Sequence, residues 1–269
     1  MGDNMITIAI VGAAGRMGGA LIRGSRNGEG LKVVAALEQK GHAALGRDAG
    51  AVAGIDAIGV AITDNPKALE PADVLIDFSF HSAVPDNLSR AVRLGKPVVL
   101  GTTGLTDAET AAVKAAAGRI PILWAPNMSL GVNLLFAMVE KAAGVLGLEY
   151  DAEIVEVHHR HKRDAPSGTA LRLGEKIAAG RGQDFKAVAR SGRDGLVGER
   201  PRGEIGLHAV RSGDVIGDHT VSFATDGERI EFAHRASSRD AFAAGALKAA
   251  LWLPGRAPGL YDMKDVLGL

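Results

Sequence analysis

The 269-residue chain has room for one large domain or two small ones, and 46% hydrophobic residues give it a core that a disordered chain lacks. Zero formal net charge and only 4% aromatics exclude a nucleic-acid binder held by phosphate contacts or base stacking. The absence of cysteine excludes disulfides, thiolate nucleophiles and cysteine-ligated clusters, and gives no sign of secretion. Met1 to Asn4 are polar and run straight into a strand, so no signal sequence is expected; Ile6 stands where a myristoylation motif needs Ser or Thr. The apolar run 130–148 is interrupted by Asn133, Glu140 and Lys141, so no membrane span is expected and the chain reads as cytoplasmic.

Ile6–Val11 is a short β-rich run followed by Gly12-Ala13-Ala14-Gly15-Arg16-Met17-Gly18 and a helical pattern through Ala20-Leu21-Ile22. This spacing is a variant of the dinucleotide fingerprint, in which small residues let backbone approach a pyrophosphate at a helix N-terminus. The next strand, Leu31–Leu37, ends in Glu38, about twenty positions after the last glycine, where a carboxylate can accept from ribose hydroxyls. Strands at 74–78, 97–100 and 120–124 alternate with helices at 82–94 and 106–117, as a parallel sheet with crossover helices requires. In such a sheet ligands lie at the carboxyl ends of the strands. The loops Gly101-Thr102-Thr103-Gly104 and Ala125-Pro126-Asn127-Met128 therefore sit where the nicotinamide half of a dinucleotide belongs.

After a helix over 130–148 the pattern changes. A strand at 153–158 and a helix at 169–179 precede a polar, Arg- and Gly-rich connection at 180–201. Strands at 204–210, 219–224 and 229–236 follow, and a last helix spans 242–253. Successive strands without crossover helices predict a second domain with an open mixed sheet. The fold class is therefore α/β: a Rossmann-type dinucleotide-binding domain over 1–129, with 240–269 packing back on it, and an α+β domain over 130–239. Val221 and Phe223 share one strand face, as do Ile230 and Phe232, which predicts apolar surface available to a partner.

The stretch 153–170 carries the chemistry. A strand throws out His158, His159, Arg160, His161, Lys162 and Arg163, then closes on Asp164-Ala165-Pro166-Ser167-Gly168-Thr169-Ala170, a turn into a helix. Unpaired N–H groups and the positive dipole end suit an anion there, and imidazoles beside a lysine can move protons. The alternative is a solvated basic loop. Neighbouring histidines on a strand point to opposite faces, so they cannot easily converge on one ion, and no metal is expected. His208, His219 and His234 have no motif around them and read as ordinary core or surface histidines.

Glu156–Lys162, Asp164–Ala170, the turn Val11–Gly18, Gly101–Gly104 and Ala125–Ser129 together resemble the dihydrodipicolinate reductase family of the lysine and diaminopimelate pathway. The resemblance runs in family order and its length fits the whole chain. It implies reduction of 4-hydroxy-tetrahydrodipicolinate, a small-molecule dicarboxylate, to tetrahydrodipicolinate with NADH or NADPH. It assigns His158 and Lys162 to acid–base chemistry and His159 to substrate binding; the helix start, where Ser167, Gly168 and Thr169 present their N–H groups, is the expected anchor for a substrate carboxylate. It assigns Gly12, Ala13, Ala14, Gly15, Arg16, Met17, Glu38, Gln39, Gly101, Thr102, Thr103, Ala125, Pro126, Asn127 and Met128 to the cofactor. It also implies a homotetramer built through the second domain. Gln39 departs from the arginine that the family often places there, with Lys40 one residue further on. The rivals are another nicotinamide-dependent dehydrogenase, such as an amino-acid dehydrogenase, which needs the glycine turn but not the histidine stretch, and a non-catalytic dinucleotide sensor, which does not need Lys162.

Overall fold

A computed structural model describes residues 5–27 and 30–269; Met1 to Asn4, which entered the signal-sequence argument, lie outside the described residues. The chain divides into two compact units. One runs through Leu130 and takes up again at Arg239–Leu269; the other is Gly131–Ser238.

The first unit opens with β1 (Ile6–Val11), α1 (Arg16–Asn27) and β2 (Leu31–Leu37). A one-turn α2 (Ala49–Val52) and β3 (Ile62–Thr63) follow, both too short for periodicity to reveal. β4 (Val74–Asp77), α3 (Val84–Leu94), β5 (Val98–Leu100), α4 (Asp107–Ala117) and β6 (Pro121–Trp124) continue the alternation. The helix expected from residue 82 starts as a 3₁₀ turn at His81–Ala83, and Pro85 sits in the first turn of α3, where a missing N–H costs nothing. Thr106 and Glu109 close a reciprocal cap on α4.

The second unit takes α5 (Leu130–Leu146), β7 (Asp151–His158), α6 (Gly168–Gly180), α7 (Phe185–Val188), β8 (Ala189–Ser191), β9 (Ile205–Arg211), β10 (Gly217–Thr225) and β11 (Glu228–Ala236). The chain then returns to the first unit through α8 (Asp240–Trp252), β12 (Gly259–Tyr261) and α9 (Met263–Leu267).

The first sheet has the order β12-β6-β5-β4-β1-β2-β3, with every neighbouring pair parallel. Strand order reverses between β1 and β4, whose last residues Val11 and Asp77 are in register. That reversal is the topological switch point at which such sheets bind ligands. Because side chains alternate, Ile8 and Ile10 pack under α1 and α8 while Ala9 and Val11 pack under α3 and α4. Both faces are thus covered, as an all-parallel sheet requires. α8 lies along α1, with Leu247 against Gly24, and Arg23 pairs with Asp240 at 3.7 Å.

The second sheet, β11-β10-β7-β9-β8, is mixed: β10 runs antiparallel to β7 and β11, while β9 is parallel to β7 and β8. Here one expectation is corrected. Val221 and Phe223 are fully buried, packed with Phe136, Val139, Leu173 and Ile177 of α5 and α6. The unit's own helices cover these two residues, while Ile230, paired with Phe223 on the edge strand, is 45% exposed; the opposite face is also open, with Val155 and Val210 about 40% exposed. Leu130–Glu149 is long and apolar enough, by length and composition, to cross a membrane, yet its buried side chains belong to this core and Glu140 binds Lys176 of α6 at 2.8 Å. The polar connection expected at 180–201 contains α7 and the wholly exposed β8. It is tied down by Arg193 and Arg200, which both donate to Glu153.

Candidate functional site

At the switch point Gly12 takes φ +80°, a left-handed conformation that favours glycine. The Gly12 and Ala13 N–H groups both donate to the Leu37 carbonyl (2.9 and 3.0 Å), folding the turn onto β2. A Cβ on Gly12 would stand 2.9 Å from the Phe78 carbonyl oxygen, and one on Gly18 2.4 Å from the Gly12 oxygen. The turn, β4 and the first turn of α1 therefore close on one another only because these positions lack side chains. Glu38 reaches across, its carboxylate accepting from the Ala14 N–H (3.1 Å) and from the Gln39 N–H (2.9 Å).

Two cavities flank this turn. One, of about 590 Å³, is lined by Gly12, Gly15, Glu38, Gln39, Lys40 and Arg90 among others. The second, of about 510 Å³, is lined by Met17, Gly101, Thr102, Thr103, Pro126, Asn127 and Met128, with His81 and Phe242. Phe78, Ser79 and Phe80 border both. Ala13 and Ala125 are buried, so only their backbone can serve a ligand, and Ala14 and Arg16 lie beside the cavities without lining them. A glycine cradle, an open helix start and an acid at the end of β2 are the donor set that a dinucleotide needs, and the residues fit one.

The sequence reading missed the segment Asp77-Phe78-Ser79-Phe80. Its signal was position, directly after a strand at the switch point. Asp77 is buried, which raises its pKa, and it accepts from the Ser79 N–H (2.8 Å) and Asn87 Nδ2 (2.9 Å). The Thr102 hydroxyl donates to the Ser79 carbonyl at 3.2 Å, so this carboxyl group braces the loops that line both cavities.

In the second unit β7 ends at His158, and α6 begins at Gly168 with Ser167 as its N-cap, the Ser167 hydroxyl accepting from the Ala170 N–H at 3.2 Å. Alternation along β7 puts Glu156 and His158 on the buried side. Glu156 is wholly buried and accepts four bonds: His158 Nδ1 at 2.5 Å, Arg211 at 2.8 and 3.0 Å, and the Ser167 N–H at 3.0 Å. Burial alone would raise its pKa; the bonds from Arg211, His158 and Ser167 outweigh that and hold it below the usual glutamate range. Arg211 also donates to the Asp164 carbonyl at 2.6 Å. His219 stands edge-on to His158, ring centres 5.1 Å apart, with its Nε2 3.1 Å from Ser167 Oγ. Burial, helped by the charge of His158, pushes its pKa down to about 4, so it is neutral near pH 7.

Lys162 is held by both oxygens of Asp164 at 2.9 and 3.0 Å, and that bond keeps Asp164 below its ordinary range. His159 is half-buried in the turn after β7, where its carbonyl accepts from the Lys162 N–H at 3.1 Å. Gly168 is exposed with nothing within 4 Å of where a Cβ would sit, and Thr169 beside it is half-buried. One expectation is corrected: the Ser167 N–H is not offered to an anion, because Glu156 occupies it, and α6 begins one residue on, at Gly168.

The sequence profile "Dihydrodipicolinate reductase, N-terminus" matches residues 6–128, and "Dihydrodipicolinate reductase, C-terminus" matches residues 131–267. The 4-hydroxy-tetrahydrodipicolinate reductase of Anaeromyxobacter dehalogenans is 50% identical over 266 residues, 98% of each chain. That of Alkalilimnicola ehrlichii is 53% identical over 263 residues, 97% of this chain and 98% of its own. Among solved structures, the dipicolinate-bound dihydrodipicolinate reductase from Paenisporosarcina sp. TG-14 superposes with a TM-score of 0.74 at 25% identity, covering 96% of this chain and 97% of the other.

Proposed function

The chain belongs to the dihydrodipicolinate reductase family, and from that premise we infer that it reduces 4-hydroxy-tetrahydrodipicolinate to tetrahydrodipicolinate with NADH or NADPH, in lysine and diaminopimelate biosynthesis. A bound nicotinamide dinucleotide supplies the hydride. The chain's own part is to hold two reactants, fix their orientation and deliver a proton. Gly12 to Met17 would carry the pyrophosphate and Glu38 with Gln39 the adenosine ribose. Gly101 to Thr103 and Ala125 to Met128 would hold the nicotinamide half.

The observation that carries the reading is the end of β7. His158 is locked to a buried carboxylate beside the open start of α6, with the Lys162 ammonium in the intervening turn. The glycine turn alone would equally serve another dehydrogenase or a sensor; this second cluster has no use in either. The test follows NAD(P)H absorbance with synthase-generated substrate. Turnover is expected, and binding of NADH without turnover by the folded protein would favour the sensor.

For cofactor choice, Glu38 repels a 2′-phosphate and Gln39 cannot clamp it, while Lys40 and Arg90, which line the same cavity, offer positive charge. Both cofactors are expected to work, with NADH equal or better. A more than tenfold advantage in kcat/KM for NADPH would reverse that ranking.

The dicarboxylate needs a second anchor to keep its ring from pivoting. The Gly168 and Thr169 N–H groups and the Thr169 hydroxyl would supply it, with His159 on the other side. Since Ser167 already caps α6, Thr169→Val leaves the cap intact. It is expected to raise KM for the dicarboxylate about tenfold while Kd for NADH stays within about twofold. Unchanged KM with a lowered melting temperature would assign Thr169 to helix stability instead.

The proposal includes a cytoplasmic location, supported by a cysteine-free sequence, and a homotetramer in which the open sheet face with Val155 and Val210 meets a partner. Light scattering is expected to give about 110 kDa, four copies of 27.8 kDa, and a stable monomer at micromolar concentration would refute the assembly.

A further inference from the structure

Glu156 has no room to be a solvated spectator. It is fully buried, its two oxygens take four bonds, and each donor comes from a different part of the second unit. Arg211, at the end of β9, supplies a fork that neutralises it, and also holds the Asp164 carbonyl in the turn before α6. The Ser167 N–H ties the same carboxylate to the helix start. The remaining donor is the His158 ring. Because Glu156 is an acceptor only, the hydrogen on its bond to His158 must belong to Nδ1. The neutral imidazole then has its lone pair on Nε2, and that nitrogen alone can take up or release a proton without breaking the clamp.

The opposite edge of the ring is just as constrained. A Cβ placed on Gly217 would stand 2.9 Å from His158 Nε2, so the ring lies over a position with no side chain. Gly217 does not take a positive φ, so its backbone does not demand glycine; the ring does. His219, the other imidazole at this spot, is neutral and engaged with Ser167, and does not compete for the proton.

We propose that Glu156, braced by Arg211, is a positioning residue that fixes the tautomer and tilt of His158, with Gly217 as the other wall of the slot. The same carboxylate holds the turn that opens α6, so the acid–base group and the anion anchor are set by one buried charge. The proposal rests on the reading of His158 as the acid–base residue.

The test is a double-mutant cycle on the full chain, with kcat and KM for the dicarboxylate, Kd for NADH and melting temperature measured on each variant. Glu156→Gln has the same shape, but its NH2 end cannot accept from both Arg211 and His158. It is expected to lower kcat about tenfold or more, with Kd for NADH within about twofold, and to have less than a twofold further effect on kcat in a His158→Gln background. Should Glu156→Gln fail to fold, Glu156→Asp keeps a charge for Arg211 but is one methylene too short for His158. Gly217→Ala crowds the ring from the far side and leaves Glu156 untouched. Each of these two is expected to lower kcat by the same mechanism, with the same loss of effect once His158 is gone. If both turn over within twofold of the parent protein, or if the Glu156 substitution costs the same factor with and without His158, the proposal is overturned. Near-normal turnover by His158→Gln itself would overturn the acid–base reading beneath it, an outcome distinct from an additive cycle built on a disabled His158→Gln.

Discussion

His158→Ala and Lys162→Ala are each expected to lower kcat by about two or more orders of magnitude, with NADH affinity unchanged within about twofold. A positioned acid contributes most when the alternative is bulk water, and both groups are held rather than mobile. The Nδ1 edge of His158 is bound at 2.5 Å, and the Lys162 ammonium sits on two carboxylate oxygens. Neither truncation leaves an uncompensated buried charge. Without the imidazole, Glu156 keeps both Arg211 bonds and the Ser167 N–H; without the ammonium, Asp164 is left with a side chain already 64% exposed. Melting temperatures should therefore move far less than rates. Steady-state kinetics alongside NADH fluorescence titration provides the check, and near-normal turnover in either variant would remove that residue from the mechanism.

A second large effect is expected at Gly245, in the middle of α8. Replacing a helical glycine with alanine ordinarily gains up to about 1 kcal/mol. Here the sign reverses, because the added Cβ would lie 1.7 Å from the Met128 carbonyl oxygen and 2.8 Å from its carbon. Backbone cannot swing aside as a side-chain tip can, so α8 would have to retreat from the loop that lines the second cavity. Ala243, Ala246, Leu247 and Ala250 are buried on that helix and would be dragged from their contacts. A cost of about 3 kcal/mol is expected, in the upper range for overpacking, or roughly 6–12 °C in Tm. Gly19→Ala in α1 is the control: its nearest neighbour would be the flexible Arg23 Nη1 at 3.4 Å, and Tm should hold or rise. If Gly245→Ala melts within two or so degrees of the parent, α8 has slack that the packing does not suggest.

Much of the first unit was legible because its chemistry is local. Strand, glycine turn, helix, strand and acid fall within Ile6 to Glu38, and Ile8-Ala9-Ile10-Val11 is an unbroken apolar run of the kind a strand covered on both faces carries. The stretch from Glu153 to Ala170 was legible for the same reason. What surrounds His158 was not, since Arg211 and His219 reach it only through the pairing of β7 with β9 and β10. Register between distant strands leaves no trace in one sequence, so His219 read as an ordinary histidine. The open sheet face was misjudged for a related reason: alternation tells which side chains share a face, and not what covers it. β8 is exposed at every residue and β3 has two, so neither had a hydrophobic pattern to find.

The insertion of Gly131–Ser238 within the other unit has a consequence for how the chain is made. Residues through Leu130 leave the ribosome with an unfinished layer: the cover that α8 and α9 give to Ile8, Ile10 and Leu21 has not been synthesised, and β6 has no β12 beside it. The contiguous segment that follows brings its whole core with it. Co-translational folding, which usually proceeds from the N-terminus, is here turned around, and the first-made segment is the last to close. Until residues 239–269 emerge, the apolar underside of the first sheet stays open to chaperones and to neighbouring nascent chains.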